Sequence, residues 1–445
     1  MPVKLGAAIS IAAAAVVLTA ASSTAGAARG GTHKLAGLVP HIPHLTNASR
    51  FAPAARTNKA AGFNCVSVCA SYESTINQYF TDVAADSGLT TNVYSVATQY
   101  SSILYSETFD TATNTFVDGS PFPTTKTCQD GYDTYCVTDT QLQAEIGKVI
   151  AAHGWPTQSE TSLYFIFTPA NVGVCQTSGK PNLDTNPCTT NAFCAYHSAS
   201  NTFVYAVEPD AAAVTGGFCD PLQRPAGNGA DATLNTISHE QNEAITDPIP
   251  GAGWLSNATG NPEIGDLCAY DFGSPLGSAG TQYDQVINGH NYFLQLEYSN
   301  QDSGCVPNIG GTVTAPDPQF QDGIGPLVYQ GLSDGNVMTT NTVYAIYWVP
   351  AASANTKLPK ILGATKVGNK LRASHGSWSN APKYTYRWLR CSAAGTSCKG
   401  ITKATGASYA LVTADAHHRL EVRVTATNEA GHASAISPPT AKVRS

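Results

Sequence analysis

The sequence predicts an α/β fold with a mixed sheet, with α+β as the alternative, followed by a small all-β sandwich. Between residues 65 and 250, segments with apolar residues at helical spacing alternate with short apolar runs that end at Pro. From residue 358 onwards, apolar residues instead recur with a period of two. Alternating helices and strands favour a sheet covered by helices, whereas short strands of period two between turns favour a sandwich.

The N-terminus has the three parts of a secretory signal peptide. Lys4 precedes an apolar run, and small residues follow that run up to Gly30. This order predicts export with cleavage near Ala27, because the run is shorter than the ~20 apolar residues of a membrane-spanning helix. Residues 31–62 mix Pro, Ala, Thr and His without a period and are predicted to form a flexible leader.

The core domain is predicted to span residues 63–307 and to begin with a helix that stops at Gly88. Four apolar residues share one face of that helix at helical spacing, namely Ile76, Tyr79, Phe80 and Val83. The segment TNVYSVATQY then predicts a strand. A second helix is expected from about Thr140 to His153, with Asp139 as its cap and Gly154 behind it.

The second half of this domain is predicted to contain two buried strands and a third helix. The runs SLYFIFTP and TFVYAVEP are apolar throughout, which is typical of strands buried on both faces. The third helix is expected from about Ala232 to Thr246, because Asp247 precedes a Pro and the residue before Pro avoids the helical region. NYFLQLEYS predicts one further strand.

The C-terminal part is predicted to be a linker, residues 308–336, and an Ig-like β-sandwich, residues 358–443. The segments YTYRWLRC, SYALV and LEVRVTATN alternate with period two, and Leu420, Val422 and Val424 share one face. One Trp, Trp388, lies in a strand predicted to be an inner one.

Composition excludes some partners and indicates disulfides. The net charge of −7 and the charged fraction of 12% give no basic patch, so neither nucleic acid nor an anionic membrane is expected as a partner. All twelve Cys follow the signal peptide, and an even number in an exported chain indicates disulfides. The expected pairs are Cys65/Cys69, Cys128/Cys136, Cys391/Cys398 and Cys268/Cys305. The remaining four, Cys175, Cys188, Cys194 and Cys219, could pair in three ways.

The stretch SHEQNEAITD, residues 238–247, is the candidate metal site. It resembles H-E-x-x-H with Glu243 in place of the second His. On a helix His239 and Glu243 lie one turn apart and can face one ion, while Glu240 occupies the place of a general base. A third ligand, Glu263 or Asp266, is expected from PEIGDLC about twenty residues on. Such a centre would be zincin-like.

One imidazole and two carboxylates admit zinc and also calcium or manganese. The alternative is that these acids cap a helix and bind loop amides around a calcium ion, or around no ion. His197 and His290 are predicted to be packed core or rim residues, with a role near the metal or substrate as the alternative. Ser333 in GLSDG matches a nucleophile elbow, but the β-like run that follows favours a plain turn.

Several blocks resemble, in order, the phosphate-induced or EXORDIUM-like family of secreted proteins. They are YESTINQYFTDVAADSGLTTNVYSVATQY, YFIFTPANVGVC, FCAYHS, ISHEQNEAITDP, EIGDLC and NYFLQLEYSNQDSGC, and they cover about residues 65–307. The resemblance implies an extracellular location and a role at the cell surface or wall, without a settled activity. The last segment is similar to Ig-like repeats of exported bacterial proteins, which implies a bacterial origin.

One block is displaced from the order of that family. A segment resembling VMTTNTVYAIYWVP normally precedes the first helix, and here it occupies residues 337–350. It is either a remnant of a second copy or a permuted strand of the core sheet. Because VYAIYWV is too apolar to lie exposed, residues 342–349 are predicted to pair with YFIFTP or FVYAVEP.

Two functions are compatible with the sequence. The first is a secreted metal-dependent hydrolase, a peptidase, with His239, Glu243 and Glu263 or Asp266 on the metal and Glu240 as base. The second is a non-catalytic protein that binds cell wall or glycan, in which the acidic cluster is structural. The expected partner is an extracellular peptide or a cell-wall component, and the oligomeric state is left open.

Overall fold

The computed structural model describes residues 65–445 except 124–127, 131–132, 134, 158–160, 184, 215–216, 259, 316–325, 332–336, 352, 381–382 and 429–430. The predicted signal peptide, the leader and Ser333 lie outside the described residues, as do the side chains of Cys65 and Cys69. No helix among the described residues is long and apolar enough to cross a membrane.

Among the residues that the structure describes, three α-helices form, at the three places that the apolar spacing predicts. They are α1, Cys65–Ala85, α2, Asp139–His153, and α3, Ala230–Thr246. The predicted face of α1 is fully buried. The cap of α2 is Thr138 rather than Asp139, because Thr138 and Gln141 form a capping box, and Gly154 ends the helix in the left-handed conformation.

The segment TNVYSVATQY is not a strand. Residues Val93–Gln99 form a 3₁₀ helix, whose start is capped by the Asn92 side chain accepting from the Tyr94 N–H. The apolar residues of this segment are nevertheless buried. Because this 3₁₀ helix is buried on several sides, its sequence has the same apolar pattern as a buried strand.

Fourteen strands among the described residues precede the C-terminal part. They are β1 Glu107–Thr108, β2 Thr115–Asp118, β3 Tyr135–Thr138, β4 Ser162–Thr168, β5 Val172–Cys175, β6 Tyr196–Ala199, β7 Val204–Pro209, β8 Trp254–Leu255, β9 Gln285–Ile287, β10 His290–Tyr292, β11 Glu297–Ser299, β12 Gly304–Val306, β13 Val328–Tyr329 and β14 Asn341–Trp348. The main sheet has the order β1-β14-β4-β7-β6, and β2 also pairs with β14. Its pairings are parallel except for the antiparallel pair of β6 and β7, so the sheet is mixed.

The displaced block occupies the middle of this sheet. Residues Thr342 to Tyr347 of β14 pair in parallel with Ser162 to Phe167 of β4, and the other edge of β14 pairs with β1 and β2. Trp348 is 1% exposed. The prediction that this segment returns to the core sheet beside YFIFTP is therefore confirmed.

Helices cover both faces of the sheet. On one face Phe165, Phe167 and Tyr347 pack in one cluster with residues of α1 and α3. On the other face Tyr164, Ile166 and Ile346 pack with residues of α2. Side chains alternate between the two faces of a strand, and both faces of this sheet are covered. Every residue of β4 is therefore buried. The predicted mixed α/β architecture is confirmed, and α3 with the candidate site lies on the first of these faces.

The predicted strand NYFLQLEYS is two short strands, β10 and β11, with a break between them. Within the break the backbone N–H of Leu294 donates to Asp284 and that of Gln295 donates to Asn235 of α3. These side-chain oxygens accept the hydrogen bonds that the carbonyl groups of a neighbouring strand would otherwise accept.

The C-terminal part consists of antiparallel strands. They are β15 Ala354–Lys357, β16 Ile361–Leu362, β17 Lys370–Ala373, β18 Ser377–Ser379, β19 Lys383–Cys391, β20 Lys399–Gly400, β21 Ser408–Ala410, β22 Arg419–Asn428 and β23 Gly431–Ile436. They form small sheets ordered β20-β19-β22-β23, β16-β17-β21 and β15-β18. Trp388 is fully buried on β19, between β20 and β22.

Five disulfides join described cysteines. They link Cys128–Cys136, Cys175–Cys188, Cys194–Cys219, Cys268–Cys305 and Cys391–Cys398. Three were expected from spacing, and the structure selects one of the three pairings open to the other four cysteines. Several disulfides are typical of extracellular proteins.

Candidate metal centre

Helix α3 is buried along its whole length, including its polar residues. Leu234, Ile237 and Ala244 belong to the apolar cluster beneath the sheet. The helix also carries His239, Glu240 and Glu243, each 0% exposed. Burying a charged side chain is costly unless it is paired, so the contacts of these three residues decide what the site can do.

His239 contacts two of the predicted partners. Its Nε2 lies 3.0 Å from Glu243 Oε1 and 3.8 Å from Asp266 Oδ1. Its Nδ1 is 2.8 Å from the Gln295 side-chain nitrogen. Gly265 packs against the ring so closely that an added Cβ would lie 2.7 Å from Nδ1.

His197, on β6, is the residue at the centre of the other half of the site. Its Nδ1 lies 3.3 Å from Glu240 Oε2 and 3.6 Å from Glu243 Oε2. Its Nε2 is 3.0 Å from the Asp247 carbonyl oxygen and 3.7 Å from Glu263 Oε2. Strand β6 lies next to β7, and α3 packs on both strands, so the ring of His197 reaches the polar side of the helix.

The loop after α3 supplies the second acidic block and is held in place by Asp247. The Asp247 carboxylate accepts hydrogen bonds from the backbone N–H groups of Gly251, Ala252 and Gly253. Further on, the Asp266 N–H donates to Glu243 Oε1 over 3.0 Å. The Asp266 side chain is 16% exposed, which makes it the most accessible member of the cluster.

The other polar residues of α3 belong to separate buried contacts. Thr236 donates to Glu208, and Asn242 donates to Glu297. Gln241 donates to Glu107 and accepts from the Tyr94 hydroxyl. The helix therefore carries polar side chains on several sides, and all of them are shielded from solvent.

Several buried atoms of the cluster have no hydrogen-bond partner among the described residues. They are Glu243 Oε2, both carboxylate oxygens of Glu263, and His239 Nε2, which lies near Glu243 without hydrogen-bond alignment. An unsatisfied buried polar atom costs about 1–3 kcal/mol, and more when it is charged. A bound cation would remove this cost for the carboxylate oxygens.

The pKa directions describe how protons distribute over the cluster when no cation is bound. Burial would lower the pKa of His197, but Glu240 and Glu243 raise it to about 10. Burial together with the charge of Glu243 raises the pKa of Asp266 to about 8, and burial raises the pKa of Glu263. Burial would also raise the pKa of Glu243, but His239 and His197 lower it. Without a cation, bound protons thus neutralise part of the negative charge of these acids. A divalent cation could neutralise that charge instead.

The ligand atoms fall into two triads that share Glu243. His239, Glu243 and Asp266 form one, and His197, Glu240 and Glu243 form the other, with the ligand atoms of each within 4.8 Å of one another. Imidazole nitrogen and carboxylate oxygen suit zinc and manganese, and oxygen ligands suit calcium. The donor set therefore fits a divalent cation.

The structure brings together the residues that the sequence singled out, and it adds one. His239, Glu240, Glu243, Glu263 and Asp266 all lie in this cluster, although Glu263 joins through His197 rather than through His239. His197 was expected to be a packed residue or a residue near the site, and the only sequence signal for it was its place in FCAYHS. His290 is not part of the cluster, since it pairs with Asp82 at the protein surface.

No family model matches the sequence, and no curated protein matches it significantly.

Proposed function

We propose that the chain is an exported, EXORDIUM-like protein whose cluster on α3 binds a divalent cation, with zinc first and manganese or calcium as alternatives. The observation that supports this proposal is the meeting of two imidazoles with the carboxylates of Glu240, Glu243, Glu263 and Asp266 in a buried site. In such a site the cation takes the place of several protons.

Complete burial favours a structural cation. A catalytic metal keeps one position open to water and substrate, whereas a structural metal is enclosed by protein ligands. Here His197, His239, Glu240 and Glu243 are all 0% exposed. The cation would stabilise the contact between α3, β6 and the loop after α3, and the protein would act outside the cell by binding a cell-wall component or glycan.

A metal-dependent hydrolase, acting as a peptidase, is the second candidate. The observation in its favour is the 16% exposure of the Asp266 side chain, which opens the triad of His239, Glu243 and Asp266 towards solvent. A metal bound there would polarise a carbonyl and activate a water molecule, and Glu240 would accept the proton.

Replacing Glu240 with Gln separates the two candidates, because the side chain keeps its shape and loses its charge. In a structural centre Glu240 contributes charge next to the cation, so E240Q should lower cation content and melting temperature together. In a hydrolase E240Q should retain the cation and lose cleavage of unfolded protein or peptide substrates. Metal analysis, thermal melting and a cleavage assay on the same preparations measure all three quantities. A wild-type protein without any bound cation would contradict both candidates.

A further inference from the structure

We infer that the cation is bound by His197, Glu240 and Glu243, and that His239 lies outside the ligand set. This inference rests on the proposed cation centre and assigns its ligands. It replaces the histidine that the H-E-x-x-E spacing indicates with one from strand β6, about forty residues earlier in the chain. Three independent contacts support it.

The first contact concerns the ring of His197. A histidine that binds a metal through one ring nitrogen usually donates the N–H of the other to a carbonyl or carboxylate oxygen. His197 Nε2 lies 3.0 Å from the Asp247 carbonyl oxygen, and the loop after Asp247 is fixed by the three N–H groups that its carboxylate accepts. This contact places a proton on Nε2 and leaves the lone pair on Nδ1, which faces Glu240 and Glu243.

The second contact gives His239 the opposite arrangement. The side-chain nitrogen of Gln295 donates to the Gly265 carbonyl oxygen at 2.9 Å and approaches His239 Nδ1 at 2.8 Å. Turning the amide over would place its oxygen against that carbonyl and lose the contact of Gln295 Oε1 with the Tyr270 N–H. His239 Nδ1 therefore accepts, and in the neutral ring the proton is on Nε2, the nitrogen that would have to bind the metal.

The third contact concerns the two oxygens of Glu243. Oε1 accepts a hydrogen bond from the Asp266 N–H, whereas Oε2 has no hydrogen-bond partner among the described residues. Oε2 is the oxygen that lies 3.6 Å from His197 Nδ1. The oxygen that is available to a cation is thus on the side of His197.

The distances also fit a shared ion. Two ligand atoms about 2.0–2.2 Å from one ion, at angles of about 90–120°, lie about 2.8–3.8 Å apart. The separations of His197 Nδ1 from Glu240 and Glu243, 3.3 and 3.6 Å, fall in this range. His239 Nε2 lies 3.0 Å from Glu243 Oε1, which is also in this range, and 3.8 Å from Asp266, at its upper limit. The ring contacts described above, and not these distances, distinguish the two histidines.

A matched pair of Gln substitutions tests the assignment, because Gln places its amide near the position of Nε2. His197→Gln can still donate to the Asp247 carbonyl but has no nitrogen at the Nδ1 position. His239→Gln can still place an N–H beside Glu243. We expect H197Q to weaken Co²⁺ and Zn²⁺ binding at least a hundredfold, more than the 10–100-fold typical of residues around a ligand, and H239Q to weaken it less than tenfold.

Affinity for Co²⁺ would be measured by its absorption spectrum and for Zn²⁺ by competition, on variants whose circular dichroism matches the wild type. Loss of binding in H239Q, alone or together with H197Q, would contradict the assignment while leaving the cation centre intact. A wild-type protein that binds neither ion would contradict the proposed centre itself.

Two further measurements complete the test, and the second uses the wild-type protein alone. His197→Asn places an amide oxygen near the Nδ1 position and should recover part of the affinity that H197Q loses. In the wild-type protein, ¹⁵N NMR of the Zn²⁺-loaded form should show one metal-bound imidazole, coordinated through Nδ1, and a second ring protonated at Nε2. Coordination through Nε2 would overturn the assignment.

Discussion

Gly265 packs directly against the ring of His239, and its lack of a side chain makes room for that ring. A Cβ at this position would lie 2.7 Å from His239 Nδ1 and 3.0 Å from its Cε1. The His239 ring is held by Gln295 on one side and by Glu243 on the other, so it cannot move away freely. We predict that Gly265→Ala lowers the free energy of unfolding by about 1–3 kcal/mol, the usual cost of overpacking, measured by chemical denaturation.

Gly147 in α2 provides the matched control. The nearest atom to a Cβ there is Phe203 Cε1 at 3.8 Å, an ordinary contact distance. Because Ala is preferred over Gly inside a helix by up to about 1 kcal/mol, Gly147→Ala should leave the stability unchanged or raise it. Equal losses in the two variants would show that Gly265 has no special role beside His239.

Glu107 gives a prediction about pH. Burial raises the pKa of Glu107 from its ordinary value to about 8, although it accepts a hydrogen bond from Gln241. The folded protein then binds a proton that the unfolded chain has released, so the contribution of Glu107 to stability is greatest below about pH 4.5 and falls as the pH rises towards 8. Glu107→Gln does not titrate. Its stability relative to the wild type should rise by up to about 1.4 kcal/mol per pH unit across this window and level off above it.

Urea denaturation of both proteins between pH 4.5 and 9 measures this difference. The titration of the metal cluster is common to both proteins and cancels in the comparison. A difference that does not change with pH would mean that Glu107 is ionised in the folded protein throughout.

At this scale the sequence predicted the acidic residues of the centre and His239, and it missed the central place of His197. The spacing of four residues along a helix placed His239 and Glu243 together, and Asp266 followed from the second acidic block. His197 could not be predicted in the same way. Its approach to α3 depends on the antiparallel pairing of β6 with β7, and local spacing carries no information about such a pairing.

Strand β14 is an inner strand of the main sheet. It joins β4 to β1 and β2, so both of its edges are paired, and Ile346 on it is 0% exposed. We predict that Ile346→Ala lowers the free energy of unfolding by about 2–5 kcal/mol, the range for truncating a buried Ile. Denaturation followed by tryptophan fluorescence would measure the change, since the neighbouring Trp348 is buried in the same cluster.

Ile436 on β23 is the control for that substitution, since its side chain is 38% exposed. Ile436→Ala should change stability by only about 0.5 kcal/mol. Equal stability of the two Ala variants would contradict the burial of Ile346 between the sheet and α2.

Periodicity predicted the long elements well and the short ones poorly. The three helices and the buried strands β4, β7 and β14 are the longer apolar segments of the core, and the sequence predicted each of them. The 3₁₀ helix Val93–Gln99 and the break between β10 and β11 instead depend on single side chains, those of Asn92, Asp284 and Asn235, that bond to the backbone. Such local bonds leave no periodic trace in a sequence.

At the scale of the whole molecule, disulfides and the proposed cation act on neighbouring parts of the core. The disulfide Cys194–Cys219 precedes α3 in the sequence, and the disulfide Cys268–Cys305 follows it. Neither bridge neutralises the carboxylates of the centre. In a core with this many buried acids, stability should therefore depend on a bound cation even when the disulfides are intact.

The cation content of the wild-type protein, together with its melting temperature before and after chelation, tests the central claim most directly. A cation present at a thousand times its dissociation constant stabilises the folded state by about 4 kcal/mol, so removing it should lower the melting temperature by at least about 5 °C. We predict about one equivalent of a divalent metal per chain by elemental analysis, a fall of this size on chelation, and recovery when the metal is restored. A protein that carries no metal, takes up none, and melts at the same temperature with and without chelator would contradict the claim.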